Sequence, residues 1–169
     1  MQEYVSEAIV LNKFPVREFD ARYYFFTKRF GKMSGKATSA RKITSKLAGH
    51  LEPGTLVHVR FVEKGGTQIV DALKTRRLDG LSLRDLQLLN TMLPESERDE
   101  AVWEELIRTP FSWERVLRVL GWDPEGALCE HCGRATDYFY LPRQEFFCAM
   151  CASKLKRDEL LLYKPFERS

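Results

Sequence analysis

Pro53-Gly54-Thr55-Leu56-Val57-His58-Val59-Arg60-Phe61-Val62 leads through Glu63-Lys64-Gly65-Gly66 into Thr67-Gln68-Ile69-Val70-Asp71-Ala72-Leu73. The first segment alternates. Leu56, His58, Arg60 and Val62 fall on one face, and Val57, Val59 and Phe61 on the other, as in a half-buried strand. Pro53-Gly54 and Gly65-Gly66 are turn pairs, so the second segment returns beside the first. Upstream, Ala8-Ile9-Val10-Leu11 is a short apolar run. Arg22-Tyr23-Tyr24-Phe25-Phe26-Thr27-Lys28 is an aromatic run ending before Gly31. Short strands at close spacing predict a small barrel over residues 1–78, long enough for a five-stranded OB-type barrel.

The period changes after Arg76 to Gly80. Ser82 is a good N-cap, and Leu83, Leu86, Leu89 and Leu93 recur at helical spacing until Pro94 stops them. A second helix is predicted from Glu97 to Arg108, with Ala101, Leu106 and Ile107 inward. A third runs from Ser112 to Gly121 and buries Val116, Leu117 and Leu120. The fold class is therefore α+β and multidomain. The parts are an all-β barrel (1–78), a helical segment (79–128), and a cysteine-bearing module (129–169) with a helix from about Ala149 to Leu162.

The chain has 169 residues, 44% hydrophobic and 30% charged, which places it among globular proteins. No apolar run approaches a membrane span. The start, Met1 to Glu7, carries two acids and no basic region, so no secretory signal is predicted. A cytoplasmic protein is expected. The net charge of +3 hides an asymmetry: residues 1–78 hold 15 Lys+Arg against 7 Asp+Glu, and the remainder 12 against 17. One half therefore suits a polyanion and the other does not.

All four cysteines lie in the last part, as Cys129-Glu130-His131-Cys132 and Cys148-Ala149-Met150-Cys151, with fifteen residues between the pairs. That is the spacing of a four-cysteine zinc site, each pair being a turn that offers two thiolates. Gly133 suits the left-handed position after the first turn. Tyr138 to Leu141 and Glu145 to Phe147 form a hairpin turning near Pro142-Arg143. Two disulfides or an iron–sulfur cluster are the other uses of four thiols. With Cys129, Cys132, Cys148 and Cys151 as ligands the ion is closed and structural. A zinc deaminase needs H-x-E, which is absent. His131 reads as a solvated knuckle residue. No phosphate-binding loop is present, because Gly65-Gly66 lacks the following Lys-Ser/Thr. The acids of residues 99–105 read as the wet face of a helix. No catalytic residue is assigned and no enzyme is expected.

Between Asp20 and Glu52 there is no acidic residue, while Arg22, Lys28, Arg29, Lys32, Lys36, Arg41, Lys42 and Lys46 supply eight cations. Such groups neutralise phosphates without reading sequence. Tyr24 or Phe26, on the adjoining aromatic strand, is the candidate for stacking on bases.

Four stretches are similar to the RecO family of DNA repair and recombination mediators. Glu7 to Leu11 resembles its first strand, and Thr27-Lys28-Arg29-Phe30-Gly31-Lys32 its strand-end motif. Ala37 to Leu47 resembles its basic Ala-x-Gly-Ala-Arg-Arg-x-x-Ser segment, with Ser39 in place of Gly and Lys42 in place of the second Arg. Leu51 to Val57 resembles the run into the next strand. The two cysteine pairs agree with zinc-containing members. The resemblance implies an OB domain, a helical domain and a zinc module. It implies binding to single- and double-stranded DNA, annealing of complementary strands, contact with the SSB tail, and RecA loading with RecR. Only 18 residues follow Cys151, so the chain reads as a short, C-terminally reduced member. The rival readings are an RNA-binding OB–zinc-ribbon protein and a scaffold whose basic face takes an acidic protein tail.

Overall fold

The computed structural model describes residues 2–38 and 46–164. The chain divides into two compact units, Met1–Trp103 and Glu104–Ser169.

The first unit is the expected barrel. Its strands are β1 (Gln2–Pro15), β2 (Ala21–Thr27), β3 (Gly31–Ala37), β4 (Thr55–Glu63) and β5 (Thr67–Arg77), closed in the order β1-β2-β3-β5-β4. All neighbours are antiparallel except β3 and β5, which meet in parallel at Lys36 and Gln68. Closure removes the free edges that would otherwise template aggregation. Val57, Val59 and Phe61 of β4 point inward with Ala8, Val10, Tyr23, Phe25 and Ile69. His58 and Arg60 point out. Leu51 is fully buried and joins the same core.

Helix α1 (Leu83–Met92) packs on β1 and belongs to the barrel's unit. Its start is a capping box: the Asp85 amide donates to Ser82 Oγ (3.1 Å) and the Ser82 amide to the Asp85 carboxylate (2.8 Å). Leu86, Leu88 and Leu89 are buried, but Leu83 is 64% exposed. At the first helical position its side chain looks past the end of the packing face. Helix α2 (Glu100–Ile107) starts later than Glu97, because the Asp99 carboxylate accepts from the Val102 amide and caps it there. Val102, Trp103 and Leu106 are buried while Ala101 is exposed, so the expected inward face is rotated.

In the second unit, α3 (Trp113–Val119) is capped by Ser112 and buries Val116 and Leu117; Leu120 is half-buried. Strands β6 (Tyr138–Tyr140) and β7 (Glu145–Phe147) form the expected hairpin. The long C-terminal helix does not form. Ala149–Ala152 is a single helical turn (α4), Arg157–Glu159 a 3₁₀ turn, and Leu160–Leu162 a third strand, β8. β8 pairs with β6, setting Phe139 against Leu161, both buried. A run of three leucines has no period, so it accepts either state. The unpaired backbone edge of β6 decides for the strand.

Phe26 lies on the outer surface of β2 yet is only 1% exposed, with its ring 6.3 Å from that of Trp103. It is a packing residue, which corrects its candidacy for stacking on bases. A Phe26→Ala chain is expected to lose about 3–5 kcal/mol of stability, read as an earlier denaturation midpoint. Any loss of nucleic-acid affinity would then track unfolding.

Candidate nucleic-acid interface and metal centre

Strand register sorts the outer residues of β1, β2 and β3 into rows. Phe14, Arg22 and Lys36 form one row; Asn12, Tyr24 and Ser34 the next; Ile9, Phe26 and Lys32 the third. An irregularity between Val10 and Asn12 brings β1 into this alignment. The third row is closed. Ile9 and Phe26 are buried, and Lys32 Nζ donates to the Asn90 carbonyl (2.7 Å) and pairs with Glu95 (3.2 Å). Lys32 therefore anchors the segment after α1 and is not free for phosphate, a correction to its assignment.

The first two rows are open. Phe14 is 48% exposed and meets Tyr24 edge-on, with centroids 5.8 Å apart. The Arg22 guanidinium is exposed and donates to Ser34 Oγ (3.2 Å), which holds it beside the rings. Lys36 pairs with Asp20 at 2.8 Å. The 16–20 turn, closed by the Val16 amide donating to the Asp20 carbonyl, adds exposed Val16 and Phe19. Tyr23, by contrast, faces the core, and burial followed by the nearby Glu52 pushes its phenol up to about 12.

The remaining basic candidates are dispersed. Lys28 pairs with Glu7 (3.4 Å). Arg29 donates to the Val5 carbonyl (3.1 Å), with its guanidinium over the Phe30 ring. Lys46 is exposed. Arg41 and Lys42 lie outside the described residues. Arg22, Tyr24 and Lys36 are thus brought together, and Phe14 and Phe19 join them. The sequence reading passed over those two, although phenylalanines flanking the turn after Pro15 were the available signal.

In the second unit the Sγ atoms of Cys129, Cys132, Cys148 and Cys151 all lie within 4.8 Å of one another. Those of Cys132 and Cys148 are 3.6 Å apart. Tetrahedral metal–thiolate bonds of about 2.3 Å put sulfurs roughly 3.8 Å apart, so the four fit one ion. The turns prepare the charge. Burial raises the Cys129 thiol, but the backbone amides of Cys148, His131 and Cys132 outweigh it and bring it down to about 6. The Cys151 amide lowers Cys148. Burial, and then the neighbouring thiols, push Cys151 up to about 12. Four thiols this close ionise together only around a cation. Gly133 takes φ +69° as the first turn needs, and exposed His131 is outside the cluster.

Residues 1–77 match the family model described as recombination protein O N terminal. The DNA repair protein RecO of Koribacter versatilis is 42% identical over 157 residues, 78% of this chain and 64% of that one. Over 78% of its length the chain is similar to a RecO protein, and its first 77 residues match the RecO family model. RecO of Thermodesulfovibrio yellowstonii is 27% identical over 176 residues, covering 89% of this chain and 70% of its own, and RecO of Myxococcus xanthus 32% over 83, covering 49% and 31%. The chain thus spans about two thirds of the length of the first two relatives. The RecO-like stretch Thr27 to Lys32 has a structural task here. Thr27 Oγ1 donates to the Gly31 carbonyl and accepts from the Phe30 amide, closing the β2–β3 turn. A Cβ on Gly31 would lie 2.0 Å from the Glu97 carbonyl oxygen, so glycine lets the segment after α1 approach. No helix among the described residues is long and apolar enough to cross a membrane.

Proposed function

We propose that this RecO-like chain is a non-enzymatic DNA-binding protein of recombinational repair. It binds single- and double-stranded DNA, anneals complementary strands, contacts the SSB tail and assists RecA loading with RecR. The observation that carries the reading is the open pair of rows on the barrel, where Phe14 and Tyr24 present rings beside the Arg22 guanidinium. Rings give every base a stacking surface, and cations track the backbone, so binding is tight without being sequence-specific. Annealing follows from that combination: neutralised strands approach, and weak base readout lets them slide into register. The 39–45 segment, with Arg41 and Lys42, adds phosphate contacts. Cys129, Cys132, Cys148 and Cys151 hold one structural zinc ion, which supplies folding free energy to the second unit.

The competing reading is RNA binding, since phosphates and rings serve both polymers. Displacement of a labelled single-stranded DNA by unlabelled DNA and RNA of the same sequence separates them. Equal or stronger displacement by DNA is expected. Displacement by RNA at markedly lower concentration than by DNA would move the function to an RNA substrate.

A further inference from the structure

The last turn of β5 carries a second cationic surface. Early in β5, Ile69 and Ala72 are buried, three residues apart because the register slips at Val70, between Asp71 opposite Arg60 and Ile69 opposite Phe61. From Leu73 to Arg77 five consecutive residues are exposed, although the β4 residues opposite, Thr55 to Val57, are all buried. The register explains it: Leu56 faces Arg76 and Val57 faces Lys74, so Thr75 is an inserted residue without a partner. Such a bulge re-aims side chains, and here it turns Lys74, Arg76 and Arg77 to solvent in one turn of chain.

A second element joins them. The 47–51 turn is closed by the His50 and Leu51 amides donating to the Leu47 carbonyl, and His50 Nδ1 accepts from the Lys74 amide (3.1 Å). The turn that begins beside Lys46 is thereby tied to the bulge. Elsewhere on the barrel Lys13, Lys28, Lys32, Lys36 and Arg60 each hold a carboxylate. Among the described residues, Lys46, Lys74 and Arg77 are in no ion pair, and all three are exposed. No aromatic ring lies in the run, so nothing there reads a base. Along β5 the run is set apart from the aromatic rows: β5 meets β3 at Gln68 beside Lys36, and Lys74 to Arg77 lie six to nine residues further, roughly 20–30 Å along the strand. Round the other side of the closed barrel, β4 lies between the run and β1, with Leu56 opposite both Arg76 and Ile9.

We propose that Lys46, Lys74 and Arg77, with Arg76 beside them, form a second, base-blind site for a phosphodiester backbone. One barrel then holds two strands: one by rings and Arg22, the other by phosphates alone. This rests on the DNA-binding reading above and adds to it a place for the second strand.

The test compares the full-length chain with a Lys74→Ala/Arg77→Ala variant and a Phe14→Ala/Tyr24→Ala variant, each titrated with a short labelled duplex and a labelled single strand at several salt concentrations. Each duplex phosphate contact contributes about 0.9 to the slope of log K against log salt. The lysine–arginine variant is expected to lower the duplex slope by roughly 1.8. The ring variant is expected to leave that slope unchanged and to weaken single-strand binding. An unaltered slope in the lysine–arginine variant, with the ring variant impaired, overturns the second site and leaves the DNA-binding reading standing. That result would direct the cationic rim to an acidic protein tail. Absence of binding by the unmodified chain at low salt overturns both.

Discussion

A Cys148→Ser chain is expected to hold no metal and to lose the folded state of the second unit, while the barrel still melts cooperatively. The second unit is small, and chains of about 70 residues gain only a few kcal/mol from a hydrophobic core. Its core is built around the cysteines: Cys129 and Cys148 are buried with Phe147, Ala152 and Leu160 in one cluster. Structural zinc sites contribute about 10–16 kcal/mol at neutral pH, more than such a unit holds in reserve. The expected result is about one zinc per unmodified chain by elemental analysis and none per variant. Proteolysis should become rapid beyond Trp103, and chelator should reproduce the variant's behaviour. A variant that stays resistant to protease, or an unmodified chain that purifies without metal and melts as before in chelator, would show that the cysteines are not a structural metal site.

An Arg22→Ala/Tyr24→Ala chain is expected to bind single-stranded DNA about ten- to a hundredfold more weakly. Stacking on an aromatic side chain is worth about 1–3 kcal/mol per base, and tenfold in affinity is about 1.4 kcal/mol. Removing Arg22 should also lower the single-strand salt slope by about 0.7. Arg22 is exposed and Tyr24 half-buried at the edge of Phe14, so the barrel should remain folded. Lys32→Ala is the informative contrast. Its ammonium is committed to Asn90 and Glu95, so its loss should lower stability while leaving the salt slope of the folded protein unchanged. Anisotropy titrations beside thermal melts of both variants separate the two effects.

How much was legible beforehand depends on how local each signal was. The cysteine spacing is local, and it picked out all four cysteines that the fold brings within 4.8 Å of one another. Strand β4 alternates strongly and formed as read, and β5 formed as the segment that returns beside it. Strand β3 went unread because Gly31-Lys32-Met33-Ser34-Gly35-Lys36-Ala37 has two glycines and no β-branched residue. It is a strand because β2 offers it a full edge, from Ala21 opposite Ala37 to Thr27 opposite Gly31. Gly35 belongs there for the same tertiary reason: a Cβ would come within 2.9 Å of the Ile69 side chain on the neighbouring strand β5.

The basic run misled in a similar way. Counting charges between Asp20 and Glu52 cannot find Glu95, which takes Lys32 from another part of the chain, or see that Asp20 and Glu7 reach back to Lys36 and Lys28. It also stopped short of Lys74 to Arg77, whose exposure depends on a bulge that no periodicity announces. Phe26 and Tyr24 look equivalent in sequence. Only the packing of Trp103 onto one of them separates a core ring from a surface ring.

The barrel's basic and aromatic surface is proposed as the DNA site. Fluorescence anisotropy of a labelled single-stranded oligonucleotide, titrated with the full chain at several salt concentrations, tests it most directly. The expected result is binding that weakens with salt at about −0.7 per phosphate contacted, with a slope corresponding to several contacts. Binding that is absent at low salt, or present with a slope near zero, would contradict it.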